Sequence, residues 1–115
     1  MILETGDTLF VSHRRMFERD EARYFLGKTI SCDGPIVKVI GYSFVRDLAN
    51  GGILKKEERR IKILSLDSPG YIVYQLPGDI DVDAADIKCD DGEAVLHEGG
   101  RGLMNLAERT HCGHF

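Results

Sequence analysis

Apolar and polar residues alternate along most of the chain, and turn-forming clusters interrupt them every 8–15 residues. The longest run of β-forming residues is Pro35–Asp47, PIVKVIGYSFVRD, rich in β-branched and aromatic side chains and broken only at Gly41. A period of two puts Ile36, Ile40, Tyr42 and Phe44 on one face and Val37, Val39, Gly41 and Val45 on the other. Both faces are largely apolar. That predicts a strand covered on both sides, or bent between two sheets, with the mid-strand glycine at the bend.

Shorter strands are predicted around it. They are Thr8–Val11, Lys28–Cys32, Ile61–Leu66, Tyr71–Leu76, Ile87–Cys89 and Glu93–Leu96, with Leu103–Leu106 following Gly99-Gly100-Arg101-Gly102. Asp33-Gly34-Pro35, Asn50-Gly51-Gly52, Asp67-Ser68-Pro69-Gly70, Pro77-Gly78 and Asp91-Gly92 carry turn chemistry. Ser12–Leu26 is ambiguous. Ser12 suits an N-cap, and Met16 and Phe17 lie eight residues from Tyr24 and Phe25, which predicts a short helix around residues 14–24. An extended hairpin arm tipped by Glu18–Glu21 is the competing reading.

Six or seven short strands in 115 residues predict one mainly β domain over residues 1–115: a small, strongly bent antiparallel β-barrel or roll with a short N-terminal helix. The polar tail, about 107–115, is expected to be loosely held. Consecutive hairpins leave sheet edges open, and small β domains often cover these with another subunit, so a homo-oligomer is expected.

Charge changes the picture in one respect. Residues 1–77 carry 12 basic and 10 acidic side chains, a net of +2, whereas residues 78–115 carry 3 and 9, a net of −6. A chain that grips nucleic acid through phosphates normally shows a basic surplus, so nucleic acid is not favoured as a partner. Cys32, Cys89 and Cys112 are too few and too scattered for a disulfide framework. Neither a signal peptide nor a membrane-length apolar run is evident, which predicts a cytoplasmic protein.

Candidate chemistry is sparse. His111, Cys112 and His114 could ligate a metal, joined by Cys89 or Cys32, but no Cys-x-x-Cys pair accompanies them. Cys112 beside His111 has only sequence adjacency to commend it as a nucleophile. Asp79, Asp81, Asp83 and Asp86 form an acidic stretch that lacks the glycine and terminal glutamate of a calcium loop. The glycines at 99, 100 and 102 lack the Lys-Ser/Thr of a phosphate loop and read as a hairpin turn. Arg14, Arg15, Arg46 and Asp47, with Asn50 nearby, are the more interesting set. If they converge where the central strand leaves the core, they form a guanidinium cluster for an anionic ligand or a carboxylate partner, or a salt-bridge set tying the N-terminal segment to the barrel.

Five stretches resemble a group of short uncharacterised bacterial proteins: VSHRR at 11–15, GYSFVRD at 41–47, KILSL at 62–66, IVYQLP at 72–77 and MNLAE at 104–108. The resemblance implies a shared fold. Gly41, Asp47 and Asn50 are also similar to the second-strand motif of Sm-like RNA-binding barrels, with the asparagine one place early. Where that family has a basic residue before a late glycine, Gln75-Leu76-Pro77-Gly78 stands here. This second resemblance implies a helix followed by five bent strands, and a ring that binds RNA. The expected function is a non-enzymatic binding or assembly module without a cofactor. The alternatives are an Sm-like nucleic-acid binder and a small metal- or thiol-dependent enzyme.

Overall fold

The computed structural model describes residues 3–13, 23–46, 52–90 and 93–106. β1 (Thr8–His13), β2 (Arg23–Asp33) and β3 (Ile36–Arg46) form an antiparallel meander. The β2–β3 turn is Asp33-Gly34-Pro35, with Gly34 at φ 59°, a left-handed conformation that glycine adopts without penalty. On the far side of β3 lie two short strands in succession. β4 (Ile53–Lys55) pairs with Phe44–Arg46, and β5 (Arg60–Ser65) pairs with Ile36–Gly41. Between them the Lys56 N–H donates to the Ser43 carbonyl at 2.8 Å. β4 and β5 therefore act as one edge strand, interrupted by the charged run after Lys55. β6 (Tyr71–Leu76) returns to the opposite side of β1, giving the order β4-β3-β2-β1-β6 with β5 beside β3.

The two edges of this sheet are consecutive in the chain. Four inter-strand gaps of a flat sheet span about 19 Å, yet the connection from Ser65 to Tyr71 is mostly turn. Such a link reaches across only if the sheet curls. Leu66 N–H also donates to the Pro35 carbonyl at 2.8 Å, which pins the link to the base of β3.

The second sheet is a meander of β7 (Ala85–Asp90), β8 (Glu93–Glu98) and β9 (Arg101–Asn105). Its β8–β9 turn places Gly99 at φ 53° and Gly100 at φ 90°, as the hairpin reading of those glycines requires.

Alternation gives the curled sheet two cores. Its outer face contributes Phe10, Tyr24, Leu26 and Phe44, which pack against Val82, Ala85, Ile87, Ala94, Leu96 and Leu106 of the second sheet and its approaches. The Phe10 and Tyr24 rings stack there at 5.3 Å. The inner face is filled by Leu9, Val11, Phe25, Val37, Val39 and Leu64, with Leu3 folded in from the N-terminal lead. That lead is tied to β2 by Gly6 N–H donating to the Thr29 carbonyl and Thr29 N–H donating to the Asp7 carbonyl, each at 2.8 Å. β1 is consequently buried on both faces, and Thr8 to Val11 are all 0% exposed.

Gly27 and Gly41 face each other across β2 and β3. A Cβ on Gly27 would sit 2.5 Å from the Ile40 carbonyl oxygen. A Cβ on Gly41 would overlap the Leu26 carbonyl and lie 2.5 Å from the Gly27 Cα. The two backbones approach on the inner face too closely for any side chain. Gly41 is thus required for close approach, and it is not among the glycines with positive φ.

One expectation is corrected, and a second at its end alone. No barrel closes: among the described residues, β5 pairs only with β3 and β6 only with β1, so the curled sheet stays open between its edges. No helix occurs among the described residues. Of the stretch 14–24, Arg23 and Tyr24 belong to β2, with Tyr24 paired to Ser12 of β1; residues 14–22 lie outside the described part. The pairing of hydrogen-bonded strands prevails over the eight-residue aromatic spacing, because Tyr24 and Phe25 serve opposite faces of a sheet. No helix of the described residues is long and apolar enough to cross a membrane.

Gly41→Ala is expected to cost about 3 kcal/mol or more, because the atoms in the way are backbone. Gly78→Ala, where a Cβ meets nothing within 4 Å, is expected to stay within about 0.5 kcal/mol of the parent. Urea denaturation of both variants checks the contrast.

Candidate functional site

Toward the end of the inner face where β1 finishes and β2 begins, the side chains change from apolar to basic. His13 and Arg23 stand one position beyond the Ser12–Tyr24 pair, and Tyr71 of β6 pairs with His13. Arg60 and Lys62 are two apart on β5, opposite Gly41 and Val39, and so share this face. The floor is Phe25, fully buried, with the Lys62 ammonium 4.9 Å from its ring centroid. The His13 ring meets Tyr71 edge-on at 5.1 Å.

The electrostatics of this mouth run one way. Burial pushes the Lys62 amine below its ordinary range, and the positive charges of Arg23 and Arg60 push it further. Burial likewise lowers His13, with Lys62 and then Arg23 adding to the effect, while a backbone hydrogen bond at Arg23 opposes it. Among the described residues the only ion pair made by this group is Arg60–Glu58 at 2.8 Å. Both partners are well exposed, so that pair contributes at most about 1 kcal/mol.

A second polar centre lies where β4 meets the loop before β7. The Lys55 ammonium donates to three backbone carbonyls: Ala85 at 2.5 Å, Asp83 at 2.9 Å and Val82 at 3.2 Å. It also lies 4.5 Å from the Tyr42 ring centroid, a cation–π contact. The Tyr42 hydroxyl donates to Asp83 Oδ1 at 2.5 Å, and this bond raises the phenol above its usual value. Burial lowers Lys55, while Asp86, Asp83 and Asp81 pull it back up. The acidic stretch therefore receives its cation from within the chain, and the lysine locks the second sheet's leading loop onto the first sheet. Asp81 turns back on itself, accepting from Asp83 N–H at 3.0 Å, while its own N–H donates to Glu98 at 2.7 Å. Asp79 faces Arg101 at 3.5 Å.

Of the residues singled out from sequence, Arg46 ends β3, pairs with Ile53 of β4 and is engaged. Arg14, Arg15, Asp47 and Asn50 lie outside the described residues, as do His111, Cys112 and His114. The strand ends that flank the first set, His13, Arg23 and Arg46, do meet at one end of the sheet, since Arg23 pairs with Val45. Cys32 is a free thiol packed against the inner core. No group of three His, Cys, Asp or Glu side chains capable of holding a metal forms among the described residues. No family model matches the chain, and no curated protein or solved structure matches it either.

His13, Lys62, Lys55 and Tyr42 were not picked out by sequence reasoning. The signal for Lys62 was in the alternation of Ile61 to Leu66, but alternation alone does not say which set faces inward. The structure turns Lys62 and Leu64 in and leaves Ile61 and Ile63 out. Lys55 was hidden in a charged run that otherwise lies at the surface.

Lys55→Met is expected to destabilise the fold by about 2 kcal/mol, because three carbonyls lose their donor. The exposed neighbour change Lys56→Met should stay within about 0.5 kcal/mol. The shift of the urea midpoint measures both.

Proposed function

We propose that the protein is a non-enzymatic binding or assembly module that works as a homo-oligomer, and that the outer face of the β2–β3–β5 end is where copies meet. The second sheet covers the upper part of that outer face, around Tyr42 and Phe44. Lower down, beyond Lys28, whose ammonium is held by the Gly78 carbonyl at 2.7 Å, the cover stops. There Ile63 is 66% exposed, Ile61 57%, Ile36 41% and Ile30 37%. This patch of isoleucines is the observation that carries the reading, because soluble monomers rarely leave such a cluster open to water.

A second copy is the occupant that fits. β5 is an open edge among the described residues, and a strand edge can pair with itself about a twofold axis. Asp33 and Lys38 lie on the same outer face, exposed and without an ion pair among the described residues.

The Sm-like nucleic-acid reading has one point in its favour. The strand order, with β4 and β5 counted as one strand and β6 returning to β1, is the order a five-stranded barrel would need. It predicts a ring, and single-stranded RNA binding that weakens steeply with salt; no binding at low salt would remove it.

Sedimentation velocity at about 50 μM should show a dimer or larger closed oligomer, and Ile61→Lys with Ile63→Lys should shift it to monomer with the fold retained. A parent protein that sediments as a monomer would contradict the reading.

A further inference from the structure

We infer that the basic mouth of the inner face, formed by Lys62, Arg23, Arg60 and His13 over Phe25, is a binding site for a phosphate group.

The geometry is that of a receptor held ready. Three permanent or near-permanent cations lie on one face of a curled sheet, supplied by two strands that are not neighbours, β2 and β5. Lys62 is drawn inward over an aromatic ring instead of extending into water. The charges of Arg23 and Arg60 beside it are both positive, and among the described residues no carboxylate lies within ion-pair distance of it. Like charges gathered on a partly dehydrated surface repel one another, and an anion between them relieves that repulsion. Contrast Lys55: part-buried on the outer face, it is met by three carbonyls and drawn by three aspartates. Among the described residues, Lys55 is met by carbonyls and Lys62 by no hydrogen-bond acceptor or carboxylate.

A phosphate group fits better than a carboxylate for two reasons. It carries up to two charges, enough to answer Lys62 and Arg23 beside an Arg60 already paired with Glu58, and its tetrahedral oxygens can accept from an ammonium and from guanidinium groups at once. Tyr71, beside His13 at the rim, supplies a further hydroxyl at the same end. The site lies on the inner face, opposite the isoleucine patch, so it stands or falls separately from self-association.

Thermal unfolding and isothermal titration calorimetry of the full chain test it, with inorganic phosphate and adenosine monophosphate as probes and chloride at matched ionic strength as control. Phosphate at 10 mM is expected to raise the Tm by several degrees over chloride, as mass action requires for a ligand bound only by the folded state. Lys62→Met is expected to raise the Tm without ligand, because it removes a repelled charge, and to abolish the phosphate-dependent rise. Arg23→Gln should weaken binding at least tenfold without unfolding the protein. Binding of both probes assigns the phosphate group as the recognised element. Binding of the monophosphate alone assigns an organic phosphate, and binding of inorganic phosphate alone assigns the free ion. No shift beyond chloride with either probe, or a shift that persists in Lys62→Met, overturns the assignment.

Discussion

The close approach of Gly27 and Gly41 is the constraint on which the rest of the structure depends. With no Cβ on either residue, β2 and β3 come together on the inner face, and the sheet curls there. Curling lets one sheet bury its own inner face, so Val37, Val39, Leu64 and Phe25 need no second layer. It also brings the two edges near enough for a short turn-rich link between β5 and β6, and it carries Lys62 over Phe25. Had the sheet been flat, those side chains would lie open and β1 could not be buried on both sides.

Curling also decides what the second sheet has to do. The outer face is convex, and a three-stranded sheet covers only part of it. Cover runs from Phe10 to Phe44 and ends near Lys28. Lys55 fixes that cover in place from the side, and its cage of carbonyls shows why the acidic stretch next to it is not a surplus of charge. The uncovered remainder is the isoleucine patch. The two unusual surfaces of this protein, one apolar and one basic, are thus the two sides of the same curved sheet.

Much of the fold was legible in the chain. The antiparallel strands and the hairpin turns at Gly34 and Gly99-Gly100 follow from alternation and turn chemistry. The role of Gly41 was legible only by half, since its partner Gly27 stands in a different strand, between the ambiguous stretch 12–26 and the strand expected at 28–32. The region around Tyr24 misled because an eight-residue spacing fits a helix as well as a strand. The site was less legible. Which residues of β5 point inward depends on what the curled sheet encloses, and a lysine on the inward set looks like a solvated edge until Phe25 of β2 is found beneath it. The three carbonyls that hold Lys55 are backbone atoms, which no side-chain pattern can reveal.

Native-state hydrogen exchange tests the central claim most directly. If the glycine contact organises the fold, the amides of Leu26–Thr29 and Val39–Phe44 will be the slowest in the molecule and will exchange only through global unfolding, while those of β7–β9 open earlier. Amides around Gly27 and Gly41 that exchange faster than those of the second sheet would contradict the account.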